Sequence, residues 1–285
     1  MLKKGTVTKC IAGKFTVFVE GTLIECYARK KFKKEQLLAG DIVEIDDQNC
    51  VIENILPRKN KLIRPPIANI DRIIIVVSCV PYVDFHLVDK LIIAAKINQI
   101  EPVLCFNKVD LDNDDLAKKI QNQYKQSNIR FIQVSAKTGY NIDKLIQILK
   151  GGINCFAGQS AVGKSSLIND ILGCDYSIVG DLSQKILRGK NTTRHTEIIS
   201  LDDYYVADTP GFNLLELDNL EYNKLKDYYV EFNQYKNDCK FSSCAHINEP
   251  QCSVKQAANE DKISKERYLR YIDIYSDLKK EQSYT

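Results

Sequence analysis

The stretch Gly158-Gln159-Ser160-Ala161-Val162-Gly163-Lys164-Ser165 constrains the fold most, because it fits G-x-x-x-x-G-K-[ST] and stands between segments of different periodicity. Before it, residues 153–157 form an apolar run that reads as a buried strand. After it, residues 166–172 place Leu167, Ile168 and Ile171 on one helical face. Strand, glycine-rich loop and helix in that order let backbone N–H groups close around phosphate oxygens at a helix N-terminus. In such a loop Lys164 reaches the β- and γ-phosphates and the Ser165 hydroxyl ligates Mg²⁺. An ordinary glycine turn would not need the Lys-Ser pair.

The segments around this loop alternate in the same way. Residues 71–78, 102–106 and 130–134 read as strands, and 85–97, 112–126 and 142–149 as helices, which predicts a parallel sheet covered on both faces. Ligands bind such sheets at the C-terminal ends of the strands. Two of those ends carry Asn107-Lys108-Val109-Asp110 and Ser135-Ala136-Lys137. These resemble the N-K-x-D and S-A-K guanine-recognition elements of the translation-factor class of GTPases. A carboxylate at Asp110 accepts from both the ring N1–H and the exocyclic amine of guanine, and it would be left unpaired by adenine. Asn107 would brace the loop and touch N7, and the Ala136 amide would meet O6. A further element, Asp208-Thr209-Pro210-Gly211, follows the apolar run 204–207 and matches D-x-x-G, with Asp208 near Mg²⁺ and the Gly211 amide near the γ-phosphate. The polar loop 187–195 reads as the first switch, with Thr193 or Thr192 as its Mg²⁺ ligand.

The order of these motifs is permuted. Asn107 and Ser135 precede Gly158, whereas ordinary small GTPases place the phosphate loop first. Permutation is tolerated where natural termini lie close together on the surface. It also sends the chain from the second switch directly into whatever follows, so a C-terminal unit would feel the γ-phosphate.

That unit carries a second signal. Cys239-x4-Cys244-x-His246-x5-Cys252 offers three thiolates and one imidazole, the donor set of one tetrahedral structural Zn²⁺. Disulfides are disfavoured in a cytosolic chain, and a catalytic Cys–His pair has no use for three cysteines. Segments 221–236 and 264–280 flank it with helical patterns.

At the other end, residues 5–11, 14–20, 22–28, 41–45 and 51–56 read as five short strands with turn signals between them, which suggests an OB-type barrel. Residues 1–66 hold 13 Lys/Arg against 8 Asp/Glu, so the formal net charge of +3 over 285 residues hides a basic N-terminal region. The cluster Arg29-Lys30-Lys31-Phe32-Lys33-Lys34, on a barrel of this kind, reads as RNA backbone contact. Residues 56–66, rich in proline and charge, read as a linker. No apolar run approaches the roughly 18 residues of a membrane span, and the N-terminus has no signal-peptide core. A cytoplasmic monomer is the expectation.

Together these features resemble the circularly permuted, ribosome small-subunit-dependent GTPase A family of bacteria, over essentially the whole chain. The matching motifs are the basic barrel, the permuted guanine site, a G-Q-S-x-V-G-K-S-S loop that extends to Ser166, and the zinc pattern. The resemblance implies a barrel domain with linker (1–66), a circularly permuted α/β P-loop GTPase domain (67–220) and a mostly α zinc-binding domain (221–285). It implies GTP hydrolysis to GDP, late maturation of the small ribosomal subunit, and rRNA contact by the terminal domains. Two departures stand out: Ala161 replaces the family's usual glycine, and Asn191 falls where the family's first switch has a histidine, leaving His195 as a nearby catalytic candidate. Phe212 occupies the place where Ras-like enzymes hold the glutamine that orients water, which predicts slow hydrolysis until a partner completes the site. Two other classes compete: a small-molecule P-loop enzyme of signalling or metabolism, and a zinc RNA-binding module with a degenerate GTPase core. The intact Lys164, Ser165, Asp208 and Asp110 argue against the latter.

Overall fold

Five strands at the N-terminus turn alternate residues inward: β1 (Lys3–Ile11), β2 (Lys14–Val19), β3 (Thr22–Ala28), β4 (Ile42–Asp46) and β5 (Val51–Ile55). In the computed structural model, which describes residues 2–30, 32, 36–63, 65–173, 197–201, 203–208, 217 and 220–283, they close into a barrel. Antiparallel pairs β1–β2, β2–β3, β4–β5 and β1–β4 combine with a parallel β3–β5 pair to leave no free edge. Val7, Val17, Cys26, Val43, Ile45 and Ile52 fill its interior.

The segment expected to be a linker is built structure. Arg58 forks onto the buried Asp41 carboxylate at 2.6 and 2.7 Å and reaches the Gln36 carbonyl at 2.7 Å. The Asn60 amide exchanges two hydrogen bonds with the Ile70 backbone, at 2.8 and 2.9 Å. A short hairpin, β6 (Lys61–Leu62) with β7 (Ile67–Ala68), completes the turn.

The central sheet begins with β8 (Ile70–Ser78), whose continuous apolar run is buried on both faces. Its neighbours are β9 (Glu101–Asn107), β10 (Arg130–Gln133), β11 (Ile153–Ala157), β12 (Glu197–Ser200) and β13 (Tyr205–Asp208). The order is β10-β9-β8-β11-β13-β12, parallel except for β12. Strand period separates the two cores: Ile73, Ile75 and Val77 face α1 (Phe85–Ile97) and α2 (Leu116–Tyr124), while Ile74 and Val76 face α3 (Ile142–Leu149) and α4 (Lys164–Leu172). Helix α2 starts later than its pattern suggested, because the Asp112 carboxylate accepts from the Leu116 and Ala117 amides, both at 2.9 Å, and caps it.

Helix α1 is buried on every side through its middle, with Leu91 through Ala95 all buried, so a second body must cover its outer face. That body is the C-terminal unit. Its core of Leu225, Tyr229, Phe232, Tyr268, Tyr271 and Ile274 takes in Ile93 and Ala94 of α1. Helices α5 (Ser253–Asn259) and α6 (Lys265–Ser283) belong to it. Residues 221–236 are not the α-helix their pattern suggested but 3-10 turns at Tyr222–Tyr228 and Val230–Phe232. The three-residue spacing superposes Tyr229 on Phe232, and their rings stack 5.2 Å apart in the core. Among the described residues no helix is long and apolar enough to cross a membrane.

Candidate nucleotide and metal sites

The parallel strands deliver their C-terminal ends to one rim. Chain order runs outward from β8 through β9 to β10, then returns to the other side of β8 at β11, so the crevice between β8 and β11 is the topological switch point. The loop 158–165 leaves β11 there and enters α4, whose N-terminus is a ready anion site. Two of its glycines are obligatory. A Cβ on Gly158 (φ +127°) would fall 2.2 Å from the Val76 carbonyl oxygen, and one on Gly163 (φ +94°) would fall 2.3 Å from Asn107 Nδ2. Ala161 also holds a left-handed conformation, at φ +65°.

The Gly163 contact joins the phosphate loop to the guanine-type motifs. Asn107, buried at the end of β9, donates from Nδ2 to the Val162 carbonyl at 3.0 Å, and its Oδ1 accepts from the Ala136 amide at 3.1 Å. One side chain thus ties all three loops. Lys108, itself at φ +61°, donates from Nζ to the Ala161 and Val80 carbonyls, both at 2.7 Å, and lies between the two motifs. Buried Ser135 donates from Oγ to Asp110 Oδ1 at 2.5 Å and accepts from the Thr138 amide at 3.2 Å, which fixes the Asp110 carboxylate while leaving the residue exposed at the rim. Lys137 is exposed beside it.

Lys164, in the first turn of α4, folds its amine back onto the Gly158 and Gln159 carbonyls at 2.7 and 2.6 Å, and burial pushes its pKa down. Ser165 and Ser166 are exposed at the same helix end, and Ser160 is exposed in the loop. Asp208 ends β13 one residue beyond Ala207, which pairs with Cys155 of the phosphate-loop strand. Gly211, Thr192, Thr193 and His195 lie outside the described residues, as do Lys31, Lys33 and Lys34 of the basic cluster. One contact had no sequence signal: the Gln159 side-chain carbonyl accepts from the Asp84 amide at 2.9 Å, and Asp84 is the residue whose carboxylate caps α1.

At the far end, Cys239, Cys244, His246 and Cys252 bring their donor atoms within 4.8 Å of one another. Sγ of Cys239 and Cys252 stand 3.6 and 3.4 Å from His246 Nδ1 and 3.9 Å from each other. Ligands at zinc–sulfur and zinc–nitrogen bond lengths on a tetrahedron lie about 3.5–3.8 Å apart, so the donor set fits a bound Zn²⁺. Burial pushes the His246 pKa down to about 4, leaving the neutral imidazole a metal needs. Support comes from residues the ligand spacing did not reveal. Glu249 accepts from the Ala245 and Ile247 amides at 2.7 and 2.9 Å, Lys226 donates to the Cys244 carbonyl at 2.9 Å, and Tyr268 donates to the His246 carbonyl at 2.7 Å.

The surroundings of α1 bind this unit to the sheet. Asp89, fully buried, receives Arg267 and Arg270 of α6 and the Tyr124 hydroxyl of α2, the last at 2.9 Å. Arg267 also pairs with buried Glu231 and lies 4.9 Å from the Tyr124 ring centre and 4.7 Å from that of Tyr229.

Comparison with known proteins agrees with this architecture. The chain matches the RsgA GTPase family model over residues 55–218 and the RsgA N-terminal domain model over residues 4–51. It is 42% identical over 286 aligned residues to the small ribosomal subunit biogenesis GTPase RsgA of Caldanaerobacter subterraneus subsp. tengcongensis, covering 98% of this chain and 97% of that one. Among solved structures, YjeQ from Thermotoga maritima superposes with a TM-score of 0.83 at 36% identity, covering 98% of this chain and 99% of the other. YloQ, described as a circularly permuted GTPase, superposes with the same TM-score of 0.83 at 30% identity, covering 99% and 96%. The chain belongs to the RsgA family of circularly permuted GTPases.

Proposed function

We propose that the chain binds GTP across the three loops tied by Asn107, hydrolyses it to GDP, and acts in late maturation of the small ribosomal subunit, which stimulates its turnover. The observation that carries this reading is the Asn107 clamp, because it links a phosphate loop to a guanine-type loop through one buried side chain. The names of the curated relatives support the destination and give none to a small-molecule acceptor.

In this reading Asp110, oriented by Ser135, accepts the guanine N1–H and amine, and the Ala136 amide faces O6. Lys108 covers the base, and Lys137 borders it. The amides of 158–166 and the Lys164 amine hold the phosphates. Ser165 and Asp208, with Thr193 or Thr192, would hold Mg²⁺, which supplies charge neutralisation when bound. Lys164 and the Gly211 amide would stabilise charge on the γ-phosphoryl group, and His195 is a weaker candidate for the water. Phe212 cannot hydrogen-bond a water, so the free protein is slow and the subunit orders the switches. One Zn²⁺ on Cys239, Cys244, His246 and Cys252 fixes the C-terminal domain (221–285), which follows the GTPase domain (67–220) and the barrel (1–66). The two terminal domains contact rRNA, and the protein works as a cytoplasmic monomer.

The test is GTP turnover with and without purified small subunits, joined to sedimentation with subunits in a non-hydrolysable GTP analogue and in GDP. Faster turnover with subunits and analogue-dependent sedimentation are expected, and Lys164→Ala should abolish both. Equal rates with and without subunits would remove the reading.

A further inference from the structure

Strand β12 is the edge of the central sheet, and an edge strand with free N–H and C=O groups is normally shielded. Here the barrel shields it. Lys9 of β1 pairs in antiparallel register with Glu197 of β12, and across the sheet the same Glu197 stands opposite Asp208 of β13. A salt bridge seals the contact, with Lys9 Nζ donating to Glu197 Oε1 at 3.0 Å and both side chains partly shielded. The register of β1 against β2 shifts between Val7 and Lys9, so a bulge at Thr8 bends β1 just where it meets β12. Alongside, Phe18 of the barrel meets Tyr205 of β13 edge to face, with centroids 6.1 Å apart.

A cleft of about 740 Å³ lined by Lys4, Phe18, Glu20, Ser200 and Tyr205 runs beside the paired strands. Among the described residues, the Lys9–Glu197 pair and the Phe18–Tyr205 ring contact are specific side-chain links from the barrel to the β12–β13 hairpin. In sequence, Glu197 comes four residues after Thr193, and Tyr205 three before Asp208. The two barrel contacts therefore land on the hairpin that joins the two switch-bearing segments.

We infer that Lys9 and Glu197 are positioning residues that couple the barrel to the GTPase centre, so that RNA held by the barrel acts on β12 and through it on the hydrolytic site. This rests on the reading of the chain as a subunit-stimulated GTPase. Each of the two residues acts by fixing the register of β12 between β1 and β13.

A charge-swap cycle tests it, using the full-length protein as Lys9→Glu, Glu197→Lys and the double exchange. GTP turnover is measured alone and with purified small subunits, with sedimentation to confirm subunit binding. Each single exchange should keep basal turnover and subunit binding yet lose about tenfold of the stimulated rate, and the double exchange should regain most of it. Full stimulation in the single variants overturns the inference, as does a double variant no better than the singles, or a loss of stimulation that merely tracks loss of subunit binding. A second arm needs no subunit. Hydrogen exchange of residues 3–11 should differ between GDP and a non-hydrolysable GTP analogue in the unaltered protein, lose that difference in the single variants and regain it in the double. If subunits fail to stimulate the unaltered protein but this nucleotide dependence follows the charge pair, the ribosomal reading falls and the coupling stands. If exchange is nucleotide-independent in the unaltered protein, the coupling falls.

Discussion

Ala161 holds φ +65° in the phosphate loop, where an L side chain costs roughly 1–2 kcal/mol over glycine. Replacing it by glycine relieves that strain but adds about 0.4–1 kcal/mol of unfolded-chain entropy. Ala161→Gly should therefore stabilise the protein by up to about 1.5 kcal/mol, read as a rise in thermal midpoint at fixed GDP; a fall would show that the methyl group has a packing role. Asp110 allows a sharper statement. Ser135 holds one of its carboxylate oxygens, so Asp110→Asn keeps the shape and reverses the hydrogen-bonding sense toward the base. GTP affinity should fall at least about 100-fold and xanthosine triphosphate should become the preferred ligand in competition binding. Unchanged GTP preference would take Asp110 out of the base site. At this scale the sequence was highly legible, since Gly158, Gly163 and Lys164 are required by close backbone approach and charge. The acceptor role of Gln159 toward Asp84 was not, because nothing local marks two residues so far apart in the chain as neighbours.

Helix α1 is the element on which two bodies meet. Its cap residue Asp84 is held by Gln159 of the phosphate loop, and Asp89, little more than a turn further on, is buried under Arg267 and Arg270. Lys96 in its last turn donates to the Tyr228 carbonyl at 3.1 Å, and burial holds its pKa down to about 8. The buried ion cluster is not fully satisfied, since Arg267 Nη2 and Glu231 Oε2 have no hydrogen-bond partner, so it specifies a docking geometry more than it adds stability. Arg267→Met should strand Glu231 and cost about 3–5 kcal/mol, seen as a lower urea midpoint and faster hydrogen exchange in α6. Undiminished exchange protection would mean that the apolar contacts alone fix this helix. The periodicity of α1 and the apolar stripe of α6 were readable from sequence. That the two stripes cover each other was not, and the 3-10 turns of 221–236 were misread because a three-residue aromatic repeat looks helical until the stacking of Tyr229 on Phe232 is seen.

Over the whole molecule, the barrel and the central sheet run together as one eleven-stranded sheet through β1 and β12, while the C-terminal unit packs onto the sheet's helix α1. The ends are thus joined by different chemistry. Zinc removal should affect one end selectively: a strong chelator should release one Zn²⁺ per chain and unfold residues 239–252 while leaving nucleotide binding intact. Release of metal without loss of tyrosine environment near Tyr268 and Tyr271 would show that the aromatic core holds the loop unaided.

Sequence by itself determined the local chemistry: which loops carry the phosphate-type and guanine-type motifs, which four side chains suit a soft metal, and in what order most strands and helices come. These depend on residue type and short spacing, which composition and periodicity encode. Tertiary structure alone decided that Asn107 ties three loops, that Asp89 and Arg267 meet across more than half the chain, and that Lys9 of the barrel faces Glu197 beside Asp208. Such contacts are fixed by how twisted sheets and buried helices close on one another, and no pattern within a short window of residues carries that information.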